Sequence, residues 1–225
     1  MRLSHYVTLF TIFLNFHLIM LDMHGNSTKS LRQDLLRQRS EFMASLDYAQ
    51  TEARLIGVLN QFLTNHSPEL KSIALYCPIQ NEIDLRPTLL KWANNQANRQ
   101  LALPFAKEDK HLDFYLWQAG DVLSPSKHGV PEPIPSNSQR PQILPDCILL
   151  PCVGWSESQD KKKHWRLGYG GGYFDRTLAL LKKLGRQPIC IGIGFDWQKL
   201  DDTKWSAQTH DEPLTYMLTE SGLRP

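Results

Sequence analysis

The sequence predicts an α/β fold: a single domain whose Rossmann-like, mostly parallel sheet is flanked by helices. Short apolar runs bounded by glycine and proline alternate along the chain with amphipathic helical stretches. The 225 residues, 41% of them hydrophobic, are enough to build one sizeable core. Because no segment has the length and polarity of an interdomain linker, we expect one domain over residues 27–225.

The first 26 residues are expected to lie outside this domain. Residues 6–21 are mostly apolar behind a single Arg2, as in a secretory signal or a membrane anchor. However, Asn15 and His17 interrupt the run, a membrane helix needs a longer one, and no A-x-A cleavage site follows. Three interpretations stay open: an extension or upstream sequence that belongs to no fold, a signal or anchor, and a packed helix.

The first half of the domain is predicted to begin with helices and then to alternate between strands and a helix. Apolar residues recur every three or four positions over residues 31–59, which predicts one or two amphipathic helices. Residues 73–76 and 101–105 are predicted strands, and residues 86–97 between them are a predicted helix. Such a helical crossover favours parallel pairing, because the connection must cross the sheet. Residues 111–117 alternate in polarity, which predicts a further strand.

The second half contains two more predicted strands of the buried, parallel kind, residues 147–153 and 189–195. The proline-rich segment 130–145 is expected to form no regular structure. Residues 173–184 are a predicted helix, and residues 208–223 a loop leading into a last strand or turn. The inner face of that helix is assigned to Leu178, Leu180, Leu181 and Leu184.

Charge and cysteine content exclude several classes of protein. The 25 Lys and Arg against 23 Asp and Glu leave a net charge of +2, which gives no general basic surface for nucleic acid or membrane. Three successive lysines within residues 156–165 are assigned to a solvated hairpin tip. The cysteines form no C-x-x-C pair, so we expect buried thiols in a reducing cytoplasm rather than a zinc site. These are Cys77, Cys147, Cys152 and Cys190.

The densest chemical signal is the run RLGYGGGYFDR at residues 166–176, between a predicted strand and a predicted helix. Four glycines within five positions allow a phosphate chain to approach the backbone, where N–H groups and the helix dipole attract anions. Arg166 and Arg176 add positive charge. An ordinary flexible turn is the alternative, and the spacing fits neither G-x-G-x-x-G nor the Walker motif.

Two aspartates are candidates for a magnesium site beside such a phosphate. Asp175 lies in the first turn of the predicted helix, where it could simply cap the helix or instead hold Mg²⁺. Asp211 is a candidate second carboxylate. Spacing alone does not bring the two together.

Taken together, these motifs resemble the 5-formyltetrahydrofolate cyclo-ligase family. The resemblance covers residues 29–223. In order, it includes KSLR at 29–32, NEID at 81–84, VPEP at 130–133, the glycine-rich run, and HDEPLTYMLTESG at 210–222. It implies an enzyme that converts 5-formyltetrahydrofolate to 5,10-methenyltetrahydrofolate with ATP and Mg²⁺, releasing ADP and phosphate. From this resemblance, together with the charge and the cysteines, we expect small-molecule substrates, no nucleic-acid partner, no membrane partner, a cytoplasmic location and a monomer.

The resemblance also implies roles for individual residues. Asp175 and Asp211 would hold the metal. The folate would contact Cys77, Glu82, Glu132, Tyr169, Gly170, Gly171, Gly172 and Tyr173. The nucleotide would contact Lys29, Arg32, Arg166, Leu167, Gly168, Tyr169, Gly170, Gly171, Gly172, Tyr173 and Phe174. No nucleophilic side chain is required, because phosphoryl transfer to the formyl oxygen depends on positioning and charge neutralisation.

This sequence departs from the family pattern in three places. Thr28 stands where a basic residue often precedes the arginine, so Lys29 is assigned to the phosphates instead. Residues 156–165 are longer and more basic than the usual turn. Phe174 replaces a tyrosine, which keeps the ring but removes a hydroxyl. Two alternatives stay open: a non-catalytic relative that binds nucleotide or folate, and a generic phosphate-sugar or CoA-handling α/β protein.

Overall fold

A computed structural model describes residues 28–66, 69–135, 140–160 and 162–225. The predicted extension over residues 1–26 lies outside this part of the chain. Within it, the helices are α1 (28–43), α2 (Tyr48–Asn65), α3 (Arg86–Asn94) and α4 (Tyr173–Lys183), with a 3₁₀-helix at Asp196–Gln198. None of these helices combines the length and apolar character needed to cross a bilayer.

Seven strands form the central sheet. They are β1 (Ser72–Ala74), β2 (Gln100–Ala106), β3 (Leu112–Trp117), β6 (Cys147–Pro151), β9 (Ile189–Ile193), β10 (Tyr216–Thr219) and β11 (Gly222–Arg224). Their order is β11-β10-β9-β6-β1-β2-β3. The five inner strands are parallel, whereas β3 and β11 at the edges are antiparallel to their neighbours. The predicted fold class is thus confirmed.

Two hairpins lie beside this sheet. One pairs β4 (Leu123–Pro125) with β5 (Pro131–Pro133), and the other pairs β7 (Gly154–Glu157) with β8 (His164–Leu167). The predicted hairpin over residues 156–165 is therefore present, but its strands are buried at Ser156 and His164, and only the tip is exposed. Strand β8 leads directly into the glycine-rich run.

Strand β5 corrects one prediction, since residues 130–145 were expected to form no regular structure. Proline cannot donate a ladder hydrogen bond, so it is tolerated only at strand ends or edges. Pro131 and Pro133 occupy both ends of this three-residue strand, opposite Pro125 and Leu123. Such a strand is too short to show a pattern in the sequence.

The helices cover both faces of the sheet. Helices α2 and α3 bury Leu55, Leu59 and Leu89 against one face, and α4 buries Leu178 and Leu181 against the other. The assigned inner face of α4 is therefore correct for only half of its leucines. Those found exposed instead are Leu180 and Leu184. Leu180 lies on the side of the helix away from Leu178, and Leu184 follows the last helical residue, Lys183.

All four cysteines are free and buried, as predicted. Cys147 and Cys190 lie on the adjacent central strands β6 and β9, and burial raises the pKa of the Cys190 thiol to about 12. Among the described residues, no group of three or more His, Cys, Asp or Glu side chains could enclose a metal ion by itself. The thiols therefore serve as packing groups.

Candidate active site

The glycine-rich run crosses from β8 to α4 beyond the carboxyl ends of the parallel strands, where ligands bind in open α/β sheets. Gly170 has φ +96° and Gly172 has φ +67°, conformations that side chains other than glycine rarely adopt. Gly172 also forms the N-cap of α4, and it contributes no side-chain hydrogen bond to the first turn. The helix therefore begins with backbone donors suited to an anion.

Residues 168–172 of this run contain its four glycines, and we call them the glycine loop. Three arginines surround this loop. Arg32 of α1 donates from Nε to the carbonyl oxygen of Gly168 at 2.7 Å. Arg176 donates from Nη2 to the carbonyl oxygen of Gly171 at 2.7 Å. Arg166 lies beneath the loop and is buried. Burial lowers the pKa of Arg32, but a guanidinium stays protonated in proteins, so the loop carries positive charge at every relevant pH.

The structure brings the two aspartates close to each other. Asp175 pairs through Oδ2 with Arg166 at 3.0 Å, and its Oδ1 accepts a hydrogen bond from the backbone N–H of Glu212 at 3.4 Å. Asp211, the residue before Glu212, accepts from the Gln208 N–H through Oδ2 at 2.8 Å. Its charge also acts on Arg32. The segment that carries Asp211 therefore docks beside the start of α4.

This donor set fits Mg²⁺ in one specific way. Magnesium usually binds one or two carboxylates and fills its other positions with water and substrate phosphate oxygens. Asp175 and Asp211 would provide two such carboxylates beside a loop suited to phosphate. A cage made wholly of protein side chains is not needed.

A buried carboxylate lies on the other side of the glycine loop. The Tyr169 hydroxyl donates to Oε1 of Glu82 at 2.6 Å, and the backbone N–H of Ile79 donates to Oε2 at 3.0 Å. Burial raises the pKa of Glu82, while these hydrogen bonds and the charge of Arg39 oppose the rise. The loop that can bind phosphate is thus joined directly to a second polar group through Tyr169.

Cys77 and Glu132 form a separate part of the predicted folate site. Glu132 lies on β5, is buried, and accepts from the Ala106 N–H at 3.3 Å. Burial raises its pKa. Cys77 follows β1 and is only 3% exposed, and burial is the main cause that raises its pKa, while the charges of Asp84 and Glu132 also act on it. The two residues therefore lie near each other.

A family model now connects this geometry to known proteins. The model that describes the 5-formyltetrahydrofolate cyclo-ligase family matches residues 24–220. The chain belongs to this family.

Individual relatives support the assignment. A protein named 5-formyltetrahydrofolate cyclo-ligase from Mycoplasma pneumoniae is 30% identical over 172 residues, 76% of this chain and 87% of the relative. One of the same name from Mycoplasma genitalium is 25% identical over 80% of this chain and 92% of its own length.

Solved structures agree with the fold. A 5,10-methenyltetrahydrofolate synthetase from Mycoplasma pneumoniae has a TM-score of 0.64 at 25% identity, covering 86% of this chain and 98% of that one. The Aquifex aeolicus synthetase also has a TM-score of 0.64, at 24% identity, over 88% and 91% of the two chains.

The remaining predicted residues of the family site occupy varied environments. Lys29 is exposed on the first turn of α1. Leu167 is buried under the loop. The Phe174 ring packs with its centroid 5.2 Å from the Arg166 guanidinium carbon, so it supports an arginine although it lacks the family hydroxyl. The Tyr173 hydroxyl lies 3.2 Å from Nε2 of His128.

Sequence reasoning missed two polar residues here, Arg39 and His128. Arg39 is one of several arginines on α1, and only its burial at 3% exposure sets it apart. His128 lies in the turn between β4 and β5 and reaches Tyr173 across a separation of 45 residues. Neither contact follows from spacing, because both depend on how distant segments pack. A basic residue seven positions after Arg32, on the helix face shared with Leu35, was the available signal for Arg39.

Proposed function

We propose that this protein converts 5-formyltetrahydrofolate to 5,10-methenyltetrahydrofolate, using ATP and Mg²⁺ and releasing ADP and phosphate. The observation that carries the proposal is the 2.6 Å hydrogen bond between Tyr169 and Glu82. It joins an arginine-lined glycine loop, suited to a triphosphate, to a buried carboxylate suited to the N–H edge of a pterin. A reaction that transfers phosphate onto a folate needs these two sites in contact.

The nucleotide binds with its phosphates against the glycine loop. The backbone N–H groups that open α4 face the phosphate oxygens, while Arg32, Arg166 and Arg176 neutralise their charge. Lys29 extends from the first turn of α1 toward the same anion. Asp175 and Asp211 would hold Mg²⁺, which would supply further neutralisation of the phosphate charge.

The folate binds with its pterin at Glu82, and Cys77 and Glu132 line the same pocket. Glu82 accepts hydrogen bonds from the pterin N–H groups, for which it must be ionised. The hydrogen bonds from Tyr169 and Ile79 hold its two oxygens in a fixed orientation. The 5-formyl group then faces the glycine loop, where the γ-phosphate lies.

The chemistry needs positioning more than acid–base groups. The formyl oxygen attacks the γ-phosphorus, the bond to the β,γ-bridging oxygen breaks, and ADP leaves. The product is an iminium phosphate, in which N5 is doubly bonded to the former formyl carbon. N10 attacks this carbon and loses its proton, and the carbon–oxygen bond then breaks to release phosphate. The arginines stabilise the charge that moves onto the phosphoryl oxygens.

We also assign the protein to the cytoplasm and propose that it acts as a monomer. Four free, buried thiols fit a reducing compartment.

The decisive experiment follows the absorbance of the methenyl product. The full chain is mixed with 5-formyltetrahydrofolate, ATP and Mg²⁺, and ADP release is measured in parallel. We expect an absorbance rise that requires ATP, with one ADP per product. Binding of both ligands without turnover would instead identify a non-catalytic relative. An Asp175→Asn preparation, compared with the wild-type protein at limiting Mg²⁺, controls for contaminating enzyme.

A further inference from the structure

Arg39 lies at the centre of the candidate site, although no predicted role includes it. Its guanidinium donates to three oxygens on three different segments. Nε donates to the carbonyl oxygen of Gln80 at 3.0 Å, Nη1 to that of Cys152 at 3.4 Å, and Nη2 to the Tyr169 hydroxyl at 2.6 Å. Helix α1, the turn that precedes Glu82, the end of β6 and the glycine loop therefore meet at one side chain.

The hydrogen bonds have a defined direction. A guanidinium can only donate, so the Tyr169 oxygen accepts from Arg39 and uses its own hydrogen to donate to Glu82. The result is a chain from a cation through a hydroxyl to a carboxylate. Such a chain favours the ionised form of Glu82, which is the form that accepts hydrogen bonds.

Arg39 also controls the backbone that carries Glu82. Gln80 and Asn81 have φ +47° and +63°, in the left-handed region that is strained for residues with a side chain. The Arg39 bond to the Gln80 carbonyl holds this turn, and the Glu82 N–H closes it on the Ile79 carbonyl at 3.0 Å. Glu82 is thus fixed from two sides by one arginine.

The electrostatics point the same way. Within the described residues, no carboxylate oxygen lies within 4.0 Å of Arg39, although the group is almost fully buried. Its counter-charge is Glu82, reached through Tyr169. The other polar groups whose fields act on this pair are Tyr76, Cys152 and Arg166. A buried arginine in this position is expensive unless the chain to Glu82 is complete.

We propose that Arg39 is a positioning residue that acts through Tyr169 on Glu82, so that nucleotide and folate bind cooperatively. This inference rests on the proposed function. Tyr169 is part of the glycine loop, so phosphate that orders the loop also places the hydroxyl that orients Glu82. The folate then meets a preorganised carboxylate, and by linkage it must tighten nucleotide binding by the same factor.

Calorimetry with the full chain tests the proposal without turnover. The dissociation constant of 5-formyltetrahydrofolate is measured with and without a non-hydrolysable ATP analogue and Mg²⁺. We expect the analogue to tighten folate binding at least about fivefold in the wild-type protein. Tyr169→Phe keeps the ring and removes only the hydroxyl. In this variant the ratio of the folate dissociation constants without and with the analogue should fall to about one.

Arg39→Lys keeps the charge, but its three donors are on one nitrogen, whereas Arg39 reaches its three acceptors from three separate nitrogens. The ratio of the folate dissociation constants without and with the analogue should therefore also fall to about one in this variant. The double variant with Tyr169→Phe should show no further loss, because the arginine acts through the tyrosine. Arg37→Lys is the matched control. Arg37 lies on the same helix, is exposed, and pairs only locally with Asp34 and Glu41, so its ratio should stay at the wild-type value.

A wild-type ratio of one, a retained ratio in Tyr169→Phe, or additive losses in the double variant would each overturn the proposal. If Arg39→Lys does not fold, Tyr169→Phe still decides the outcome. Failure of the proposed function gives a different result, since the folate would then not bind or no product would form.

Discussion

Arg166 and Asp175 form a 3.0 Å ion pair that links the last strand before the glycine loop to the first turn of the helix after it. Both side chains are largely buried. The pair closes the loop at its base, and both side chains lie on the same side of the loop, beside the position assigned to the phosphates. Asp175 therefore has a structural partner as well as a proposed metal.

Replacing Asp175 by Asn should weaken turnover most strongly at low Mg²⁺. The change keeps the shape of the side chain but removes the charge that binds the metal and pairs with Arg166. We expect the rate to fall by at least about tenfold at limiting Mg²⁺, which corresponds to the loss of one charged contact of about 1.4 kcal/mol. Initial rates across a Mg²⁺ titration measure this. The exposed Asp202→Asn is the control, and an unchanged titration curve for Asp175→Asn would remove it from the metal site.

Gly170→Ala should weaken nucleotide binding. A Cβ at φ +96° is strained, and it would lie 3.4 Å from the Arg32 guanidinium, where the loop is held. The strain costs roughly 1–2 kcal/mol, so affinity should fall about fivefold to thirtyfold. Titration with a fluorescent ATP analogue measures it.

Gly57→Ala is the matched control for that change. Gly57 lies within α2 and a Cβ there would meet no atom within 4 Å. It should leave nucleotide affinity unchanged and stabilise the protein by about 0.5–1 kcal/mol. Equal affinities for Gly170→Ala and Gly57→Ala would contradict a phosphate role for the loop.

The free energy of unfolding of the Glu82→Gln variant, relative to that of the wild-type protein, should increase as pH rises. Burial raises the pKa of Glu82 above its ordinary value of 4.5. The folded state therefore binds the Glu82 proton more tightly than the unfolded state does, and this stability is lost as pH increases through the raised pKa. Denaturant unfolding of both proteins at pH 4 and pH 8 measures the difference. If the stability of Glu82→Gln relative to wild type does not change with pH, the pKa of Glu82 is not raised. The same variant should also bind folate more weakly than the wild-type protein.

His164 should make the protein less stable in mild acid. It is 1% exposed, and burial lowers its pKa below 6.5, with the Glu157 carboxylate at 3.2 Å only partly opposing the effect. The unfolded state then binds the proton more tightly, so the free energy of unfolding falls as pH drops below about 6.5. His164→Gln should remove this part of the pH dependence, measured by unfolding between pH 7.5 and 5.5. His210→Gln, at an exposed position, should leave the slope unchanged.

The central sheet could be predicted because buried parallel strands are apolar throughout. The strands β6 and β9 and the helix α4 between them were all found near their predicted positions. Pairing across the proline-rich strand β5 could not be predicted, since a three-residue edge strand has no periodicity. One departure from the helical pattern predicted over residues 31–59 is Leu46, which is exposed because α1 ends at residue 43 and Leu46 lies in the turn before α2.

The site was only partly predictable. Glycine spacing identified the loop, because few other functions require four glycines within five positions. The role of Arg39 could not be inferred, because its three acceptors are 41, 113 and 130 residues away along the chain. Tertiary packing alone decides which arginine of an amphipathic helix turns inward.

The candidate site takes Arg32 from the start of the described chain, Glu82 from its first half and Asp211 from near its end, and an unfolded chain cannot hold these groups together. Both proposed substrates should therefore act as folding ligands, raising the melting temperature as their concentrations exceed their dissociation constants. The abundance of the protein in a cell would then follow its supply of reduced folate, since occupied molecules expose less chain to proteases.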